Sequence, residues 1–271
     1  ILRYRRMAKL QSTYVEGLTK LRGSDGRVHT TFDQTATVTG RISSLEPNLQ
    51  NIPIRTEEGR EIRRAFVAGK GNVLLDADYS QIELRVLAHM SGDPAMCDAF
   101  QRGQDIHTRT AAEIHGVPMN QVTPEMRRSA KAVNFGIVYG ISSFSLSQDI
   151  GVSPYQAKKY MDAYLEKYHG VRQYMENIKK QAYEKGYVTT EFGRRRDIPE
   201  LKSQSFNVRS FGERVALNTP VQGTAADIIK KAMINVERAI KERGLKASLV
   251  LQVHDELILE CPVEEKEEAA R

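Results

Sequence analysis

Asp78-Tyr79-Ser80-Gln81-Ile82-Glu83-Leu84-Arg85 closes one apolar run and opens an amphipathic one. Ahead of it, Val73-Leu74-Leu75 reads as a short buried strand, and the spacing of Ile82, Val86 and Leu87 after it reads as a helix laid on a sheet. A carboxylate at that junction is fixed by the strand yet open to a cleft, where a metal ion can be held. Far downstream, Leu249-Val250-Leu251-Gln252-Val253-His254-Asp255-Glu256-Leu257-Ile258-Leu259 gives two apolar, β-prone runs interrupted by His-Asp-Glu. That pattern predicts a hairpin with acids at its tip. Two carboxylate sites, distant in sequence and able to converge, suit a pair of Mg²⁺ ions of the kind used in phosphoryl transfer.

Working outward, residues 23–95 mix turn-rich polar stretches with the strand bearing Asp78, and residues 96–203 are mostly helical in pattern. Ser153-Pro154 is a good N-cap with Pro at the first helical position, followed by a stripe of Met161, Leu165 and Tyr168 and a stop at Gly170. Another helix runs from Val171 toward Gly186. Tyr187-Val188-Thr189-Thr190 and the segment after Phe192-Gly193 predict a small hairpin. From Phe206 to Arg243 two helices are expected to meet at Pro220, the second closing on Gly244. Residues 1–21 read as a helix without a start signal, and 264–271 as the beginning of a charged helix. Sheet and helices are segregated, so the fold class is α+β rather than an alternating α/β fold.

Composition narrows the partners. At 271 residues with 40% apolar content the chain can bury one large core or two coupled ones. Lys plus Arg exceed Asp plus Glu by 40 to 34. The excess is local, in Arg60, Arg63 and Arg64, in Arg127 and Arg128, and in Arg194, Arg195 and Arg196, clusters that suit a polyanion. Only Cys97 and Cys261 occur, without metal-ligand spacing, so neither a disulfide framework nor a zinc site is expected. Free thiols of that kind fit a reducing cytoplasm. No apolar run reaches transmembrane length, and the first residues do not form a signal peptide.

Arg127, Lys131, Phe135 and Tyr139 recur every four residues, which on a helix drifts about 40° per step and makes one stripe about 18 Å long. That length spans a nucleotide from triphosphate to base. The cations sit toward the N-terminal end, where the helix dipole also favours anions, and the aromatics lie beyond, where a sugar and base would stack.

The Asp78 stretch, the His-Asp-Glu hairpin and the run Arg127-Arg128-Ser129-Ala130-Lys131-Ala132-Val133-Asn134-Phe135-Gly136-Ile137-Val138-Tyr139-Gly140 closely resemble motifs A, C and B of family A DNA polymerases. Their order and spacing match too. The resemblance continues through Thr37-Val38-Thr39-Gly40-Arg41-Ile42-Ser43, Asn48-Leu49-Gln50-Asn51-Ile52-Pro53 and Asn218-Thr219-Pro220-Val221-Gln222-Gly223-Thr224-Ala225-Ala226-Asp227, and so covers nearly the whole chain. It implies a right-hand polymerase fold, with an antiparallel palm sheet and helical fingers. Residues 1–22 would end a thumb whose greater part lies elsewhere, 23–95 the first part of the palm, 96–203 the fingers, and 204–271 a second, truncated part of the palm.

The same resemblance assigns roles. On strand geometry alone Asp76 and Asp78 compete, since alternate residues share a face; the motif requires only Asp78. Asp255 and Glu256 diverge if extended, so we favour Asp255 as the metal ligand with Glu256 supporting it within the catalytic set. The Tyr79 carbonyl supplies a further metal oxygen. Arg127 and Lys131 grip phosphates, with Lys131 also placed as a proton donor to the leaving group. Phe135 lies along the sugar, Tyr139 borders the base, His107 adds a phosphate contact, and Gln81 and Glu83 complete the nucleotide site. Arg41, Asn51, Arg214, Asn218, Gln222 and His254 carry donors able to reach minor-groove acceptors, although Pro220 interrupts the helical register of Arg214, Asn218 and Gln222. The implied partners are primer-template DNA and deoxynucleoside triphosphates, with no membrane and a monomeric chain, in DNA replication and repair.

Two rivals are weighed. A single-subunit RNA polymerase shares the two acids and the pattern of the stripe, but has a small residue where this chain has Glu83. A non-catalytic DNA-binding fragment would have no need of intact Asp78, Asp255, Arg127 and Lys131.

Overall fold

A computed structural model describes residues 1–54 and 56–271. Its strands are β1 Thr31–Asp33, β2 Ser43–Leu45, β3 Asn72–Asp78, β4 Tyr187–Thr189, β5 Arg195–Asp197, β6 Ser248–Val253 and β7 Glu256–Pro262. They form an antiparallel β1-β2 pair, a three-stranded sheet in the order β3-β7-β6, and the β4-β5 hairpin. The chain divides into two compact units, one of Ile1–Tyr79 and Ala226–Arg271, the other Ser80–Ala225. These divisions fall at 79/80 and 225/226, whereas the expected palm and fingers boundaries lie at 95/96 and 203/204.

In the first unit the three-stranded sheet is fully antiparallel, with Leu75 opposite Leu259 and Asp78 opposite Glu256. Leu257, Leu259 and Cys261 alternate along β7 and are all buried, the period-two pattern of a strand with one face on a core. The expectation that Val73-Leu74-Leu75 is buried is corrected. Strand β3 pairs with β7 alone among the described residues, so it is an edge, and Leu74 is 41% exposed. Residues 1–21 are helical as Leu2–Leu10, a π-helical stretch Gln11–Glu16 and Gly17–Lys20, with no side-chain cap at the start. Tyr14, buried within the π-helical stretch, donates its hydroxyl to the Asn51 carbonyl at 2.6 Å.

Glu260 faces away from the apolar side of β7 and is nonetheless buried. It accepts hydrogen bonds from Arg27, the Asn72 amide and the Gly69 backbone N–H, which together hold its carboxyl down to about 2. A folded-state value below the unfolded one, about 4.3, stabilises the fold above that pH, and the contribution fades as pH falls toward 2. Glu260→Gln is therefore expected to lower stability at pH 7 by about 2 kcal/mol, with the gap to the parent closing between about pH 5 and pH 2. Urea unfolding across that range checks it; a gap independent of pH would refute the ionic part.

The second unit is helical apart from β4 and β5. Helices Ile82–Ser91, Pro94–Gln101, Ile106–His115, Pro124–Tyr139, Ser143–Ile150, Pro154–Lys167 and His169–Lys185 follow one another. Ser153 caps its helix by accepting from Gln156 N at 3.1 Å, as its sequence predicts. The stop expected at Gly170 is corrected: that helix ends at Lys167, Tyr168 turns the chain with φ −98 and ψ 65, and Gly170 is helical. Its role is close approach. A Cβ there would stand 2.8 Å from the Asp93 Cα, and its N–H donates to Asp93 Oδ2 at 2.9 Å, while Oδ1 of the same carboxylate caps Pro94–Gln101.

The two helices expected to meet at Pro220 are one helix, Phe206–Glu242, 37 residues long. A proline in a helix interior removes one backbone donor and costs about 3 kcal/mol. Here its flanks, Val215, Ala216, Leu217, Thr219, Val221, Thr224 and Ala225, are buried, and at about 1.5–3 kcal/mol for each large apolar side chain that burial outweighs the loss. Val215 and Ala216 join Ala182, Val188, Ile198 and Leu201 in the core that seats the β4-β5 hairpin. Cys97 and Cys261 are free thiols. Among the described residues, no helix is long and apolar enough to cross a membrane.

Candidate active site and nucleic-acid interface

In the first unit the acids come together at one end of the sheet. Asp78 is the last residue of β3 and Glu256 the first of β7, directly opposite it, while Asp255 sits in the two-residue turn between β6 and β7. The turn is tight because His254 takes φ +53, a left-handed conformation uncommon for a side-chain-bearing residue. It is pinned from two sides, by Tyr79 N donating to the Asp255 carbonyl at 3.1 Å and by Gln252 Nε2 donating to the His254 carbonyl at 2.6 Å. Burial, then repulsion from Asp255 and Asp76, raises the Asp78 carboxyl. Burial, then Asp76 and Asp78, raises Glu256, with Arg63 opposing. Asp78 and Glu256 thus each feel the charge of the neighbouring acids, Asp76 and Asp255 among them. Among the described residues, no group of three or more His, Cys, Asp or Glu is gathered into a ready metal cage.

Beside this turn lies a shallow cleft lined by Arg41, Ile42, Ala226, Ile229, Lys230, Gln252 and His254. It brings together Arg41 and His254, two of the residues expected to touch DNA, and adds Lys230, which sequence reasoning missed. Gln252 is tied further: Gln50 Nε2 reaches the Gln252 carbonyl, the Gln252 side-chain oxygen and the Ile42 carbonyl at 3.0–3.1 Å. Asn51, by contrast, stands exposed with its carbonyl held by Tyr14.

In the second unit helix Pro124–Tyr139 begins at a Thr123 cap and ends at Gly140, φ +61. A Cβ on Gly140 would meet Leu217 Cδ1 at 3.1 Å and Arg214 Cγ at 3.4 Å, so glycine serves both the left-handed turn and the close approach to Phe206–Glu242. Ala130, Val133, Asn134 and Ile137 are buried on one face. On the other, Arg127 and Lys131 are exposed, and Phe135 and Tyr139 half-buried. The two rings stack, centroids 6.3 Å apart and 17° from parallel, with the Lys131 ammonium 6.0 Å from the Phe135 centroid. The expected stripe is therefore a continuous surface.

Arg127 is held by Asp105, Nε to Oδ2 at 2.5 Å. Burial would raise the Asp105 carboxyl, but bonds from Arg127, Thr108 and the His107 N–H outweigh it and hold it at about 2. His107 is buried, with Nδ1 3.0 Å from Asn134 Nδ2 and its ring 5.9 Å from that of Phe135. Burial brings its pKa down to about 4, Asp105 opposing and Arg127 and Lys131 adding to the fall, so the ring is neutral at pH 7. Glu83, on Ile82–Ser91, is 6% exposed and accepts the Tyr139 hydroxyl at 3.0 Å. Arg85 turns to the Ser80 carbonyl and over the Phe100 ring. Gln81, at φ +52, forms the sharp entry to the same helix, its carbonyl accepting from Leu84 and Arg85.

Arg214, Asn218 and Gln222 lie on one unbroken helix, so the interruption expected at Pro220 does not occur and the three share a stripe. The Asn218 side-chain nitrogen is buried without a hydrogen-bond partner among the described residues. Sequence reasoning also missed Thr110 and Asn134, buried polar residues whose partners lie 24 or more residues away.

The whole chain, residues 1–271, matches the model of DNA polymerase family A. The chain belongs to that family. It is 59% identical over 269 residues to DNA polymerase I of Bacillus subtilis (strain 168) and 58% identical over 270 residues to that of Bacillus caldotenax, matching 98% and 99% of its own length and 31% of each relative. It thus spans about a third of the length of these relatives. The POL domain of Pol1 from M. smegmatis, solved with DNA primer-template and dNTP, superposes with a TM-score of 0.95 at 50% identity, over 99% of this chain and 47% of that one.

Proposed function

We propose that the chain is the catalytic part of a DNA-directed DNA polymerase, in which a primer 3′-hydroxyl attacks the α-phosphate of a template-paired deoxynucleoside triphosphate and pyrophosphate leaves. The observation that carries this reading is the acidic end of the sheet, where Asp78, Asp255 and Glu256 share one corner and burial and mutual charge raise Asp78 and Glu256. That donor set fits two Mg²⁺ ions, which need few protein carboxylates because waters and substrate phosphates supply the other ligands. Asp78, Asp255 and the Tyr79 carbonyl would hold them, with Glu256 behind. Bound there, Mg²⁺ supplies the Lewis acidity that lowers the hydroxyl pKa and the charge that steadies the leaving group.

The protein's own groups do the rest. Arg127 and Lys131 bind the triphosphate, Arg127 exchanging Asp105 for phosphate, and Lys131 gives the departing pyrophosphate a proton. Phe135 supports the sugar and Tyr139 the base, with Gln81 and Glu83 closing the nucleotide site. Arg41, Asn51, Arg214, Asn218, Gln222 and His254 test the minor groove, where A·T and G·C pairs place acceptors alike. The relatives' names and the primer-template and dNTP of the matched structure support the same substrates. We place the activity in DNA replication and repair, in a cytoplasmic monomer.

Primer extension with deoxy and ribo triphosphates on DNA and RNA templates tests this. Deoxynucleotide addition on DNA is expected; ribonucleotide preference, or binding without addition, would defeat it. A second expectation concerns Phe135. Its Tyr variant would offer a hydroxyl where a dideoxynucleotide lacks one, so Phe135→Tyr should accept chain terminators at least tenfold more readily, about 1.4 kcal/mol. Competition between dideoxy and deoxy substrates measures it, and an unchanged ratio refutes the placement of Phe135 by the sugar.

A further inference from the structure

We propose that Tyr168, Thr110 and Asn134 form a directed hydrogen-bond relay that fixes the proton of His107 on Nε2, so that His107 meets an anion as a neutral N–H donor. Its use toward a triphosphate rests on the function proposed above; the relay itself does not. All four residues lie in the second unit, on helices Ile106–His115 and Pro124–Tyr139 and at the end of Pro154–Lys167. All four are buried: Tyr168, Thr110 and Asn134 fully, His107 at 2% exposure.

The direction follows from counting protons. Thr110 has one hydroxyl proton, and it goes to Asn134 Oδ1 at 3.2 Å. Toward the Tyr168 oxygen, also 3.2 Å away, Thr110 can then only accept, so the phenol is the donor. With Oδ1 taken by Thr110, Asn134 turns its Nδ2 to His107 Nδ1 at 3.0 Å. A nitrogen that accepts carries no proton, so in the neutral ring the proton sits on Nε2. Reversing every bond would rotate the Asn134 amide, put the proton on Nδ1 and leave the Tyr168 phenol with no acceptor among the described residues. That buried tyrosine is what sets the direction.

The remaining geometry gives the tautomer a use. His107 follows Asp105 by two residues, its ring packs against Phe135, and Arg127 and Lys131 are close enough to bear on it electrostatically. A charged imidazole beside two other cations would be costly, and a neutral ring with Nδ1–H would turn an acceptor toward an anion. The Nε2–H form adds a donor without adding charge. Asn134, Thr110 and Tyr168 are thus positioning residues, acting on the nucleotide site through His107.

The test reads protonation directly. Two-bond ¹H–¹⁵N spectra of the ¹⁵N-histidine-labelled chain at pH 7, with the His107 signals assigned by His107→Gln, report which ring nitrogen bears the proton. The relay predicts Nε2–H over Nδ1–H by at least tenfold, and Nδ1–H in the parent protein would overturn it. In Asn134→Asp the new carboxylate can only accept, so Nδ1 is expected to gain a proton; a spectrum like the parent's would also overturn it. Should that variant fail to fold, Tyr168→Phe removes the directing donor alone and is expected to bring the ratio down several-fold, and no change there refutes the tyrosine's role. Titration with inorganic tripolyphosphate then separates the two readings. A shift at His107 Nε2 supports a phosphate contact, while a fixed tautomer without that shift keeps the relay and defeats the contact.

Discussion

Asp78→Asn or Asp255→Asn is expected to abolish nucleotide addition while leaving duplex binding close to its original strength. Both acids stand at one corner of the sheet, Asp78 at the end of β3 and Asp255 in the turn that Tyr79 and Gln252 hold. Asn keeps the size and one acceptor oxygen but loses the charge a divalent ion requires. If losing one ligand forfeits even 4 kcal/mol of transition-state stabilisation, the rate falls about a thousandfold. Duplex affinity comes instead mainly from cations on phosphates, and neither substitution removes one. Primer extension and a salt-dependent anisotropy titration measure the two separately. Extension by either variant within tenfold of the parent would sink the metal assignment, and a loss of DNA binding in step with activity would show a folding defect instead.

The second large effect is on sugar choice. Glu83 is buried on the first turn of Ile82–Ser91, and the Tyr139 hydroxyl donates to it, so each side chain holds the other in place. Hydrogen bonds to a carboxylate are among the stronger ones, so in the proposed nucleotide site this pair would stand as a firm wall against a ribose 2′-hydroxyl. Removing it takes away both bulk and an acceptor. Each tenfold of discrimination corresponds to about 1.4 kcal/mol, so losing a few kcal/mol of exclusion relaxes selectivity by about a hundredfold or more. Glu83→Ala should therefore raise ribonucleotide incorporation sharply while deoxynucleotide addition suffers less. If the ratio of the two specificity constants moves by less than about threefold, under 1 kcal/mol, Glu83 is not the gate.

The elements legible in the sequence were those whose signal is local. The Ser153-Pro154 start, the hairpin around His254-Asp255 and the stripe from Arg127 to Tyr139 each depend on residues within one or two turns of one another, and each is present. The misreadings share a different cause. Pro220 and Gly170 carry strong local signals, but buried flanks override the proline, and Asp93, 77 residues away, explains the glycine. Val73-Leu74-Leu75 looks like a core strand because composition does not reveal which strand ends up at an edge. At the candidate site, the roles proposed for the motif residues come from resemblance. Their supports were not legible: Gln50 with Gln252, and Thr110 with Asn134 and Tyr168, are neutral polar residues whose meaning lies in partners far along the chain.

The unbroken passage of Phe206–Glu242 through Pro220 makes a measuring rod of three side chains. At about 1.5 Å per residue, Arg214, Asn218 and Gln222 stand about 6 Å apart, and the outer two span about 12 Å. On the proposed duplex that is the height of three to four stacked pairs, at about 3.4 Å each. Side chains on a flexible loop could each find an acceptor independently, but those on one helix keep their intervals and must be satisfied together. A pair of altered width anywhere along that length would cost contacts beyond its own position. On the proposed function, the new duplex would thus be gauged over several pairs at once.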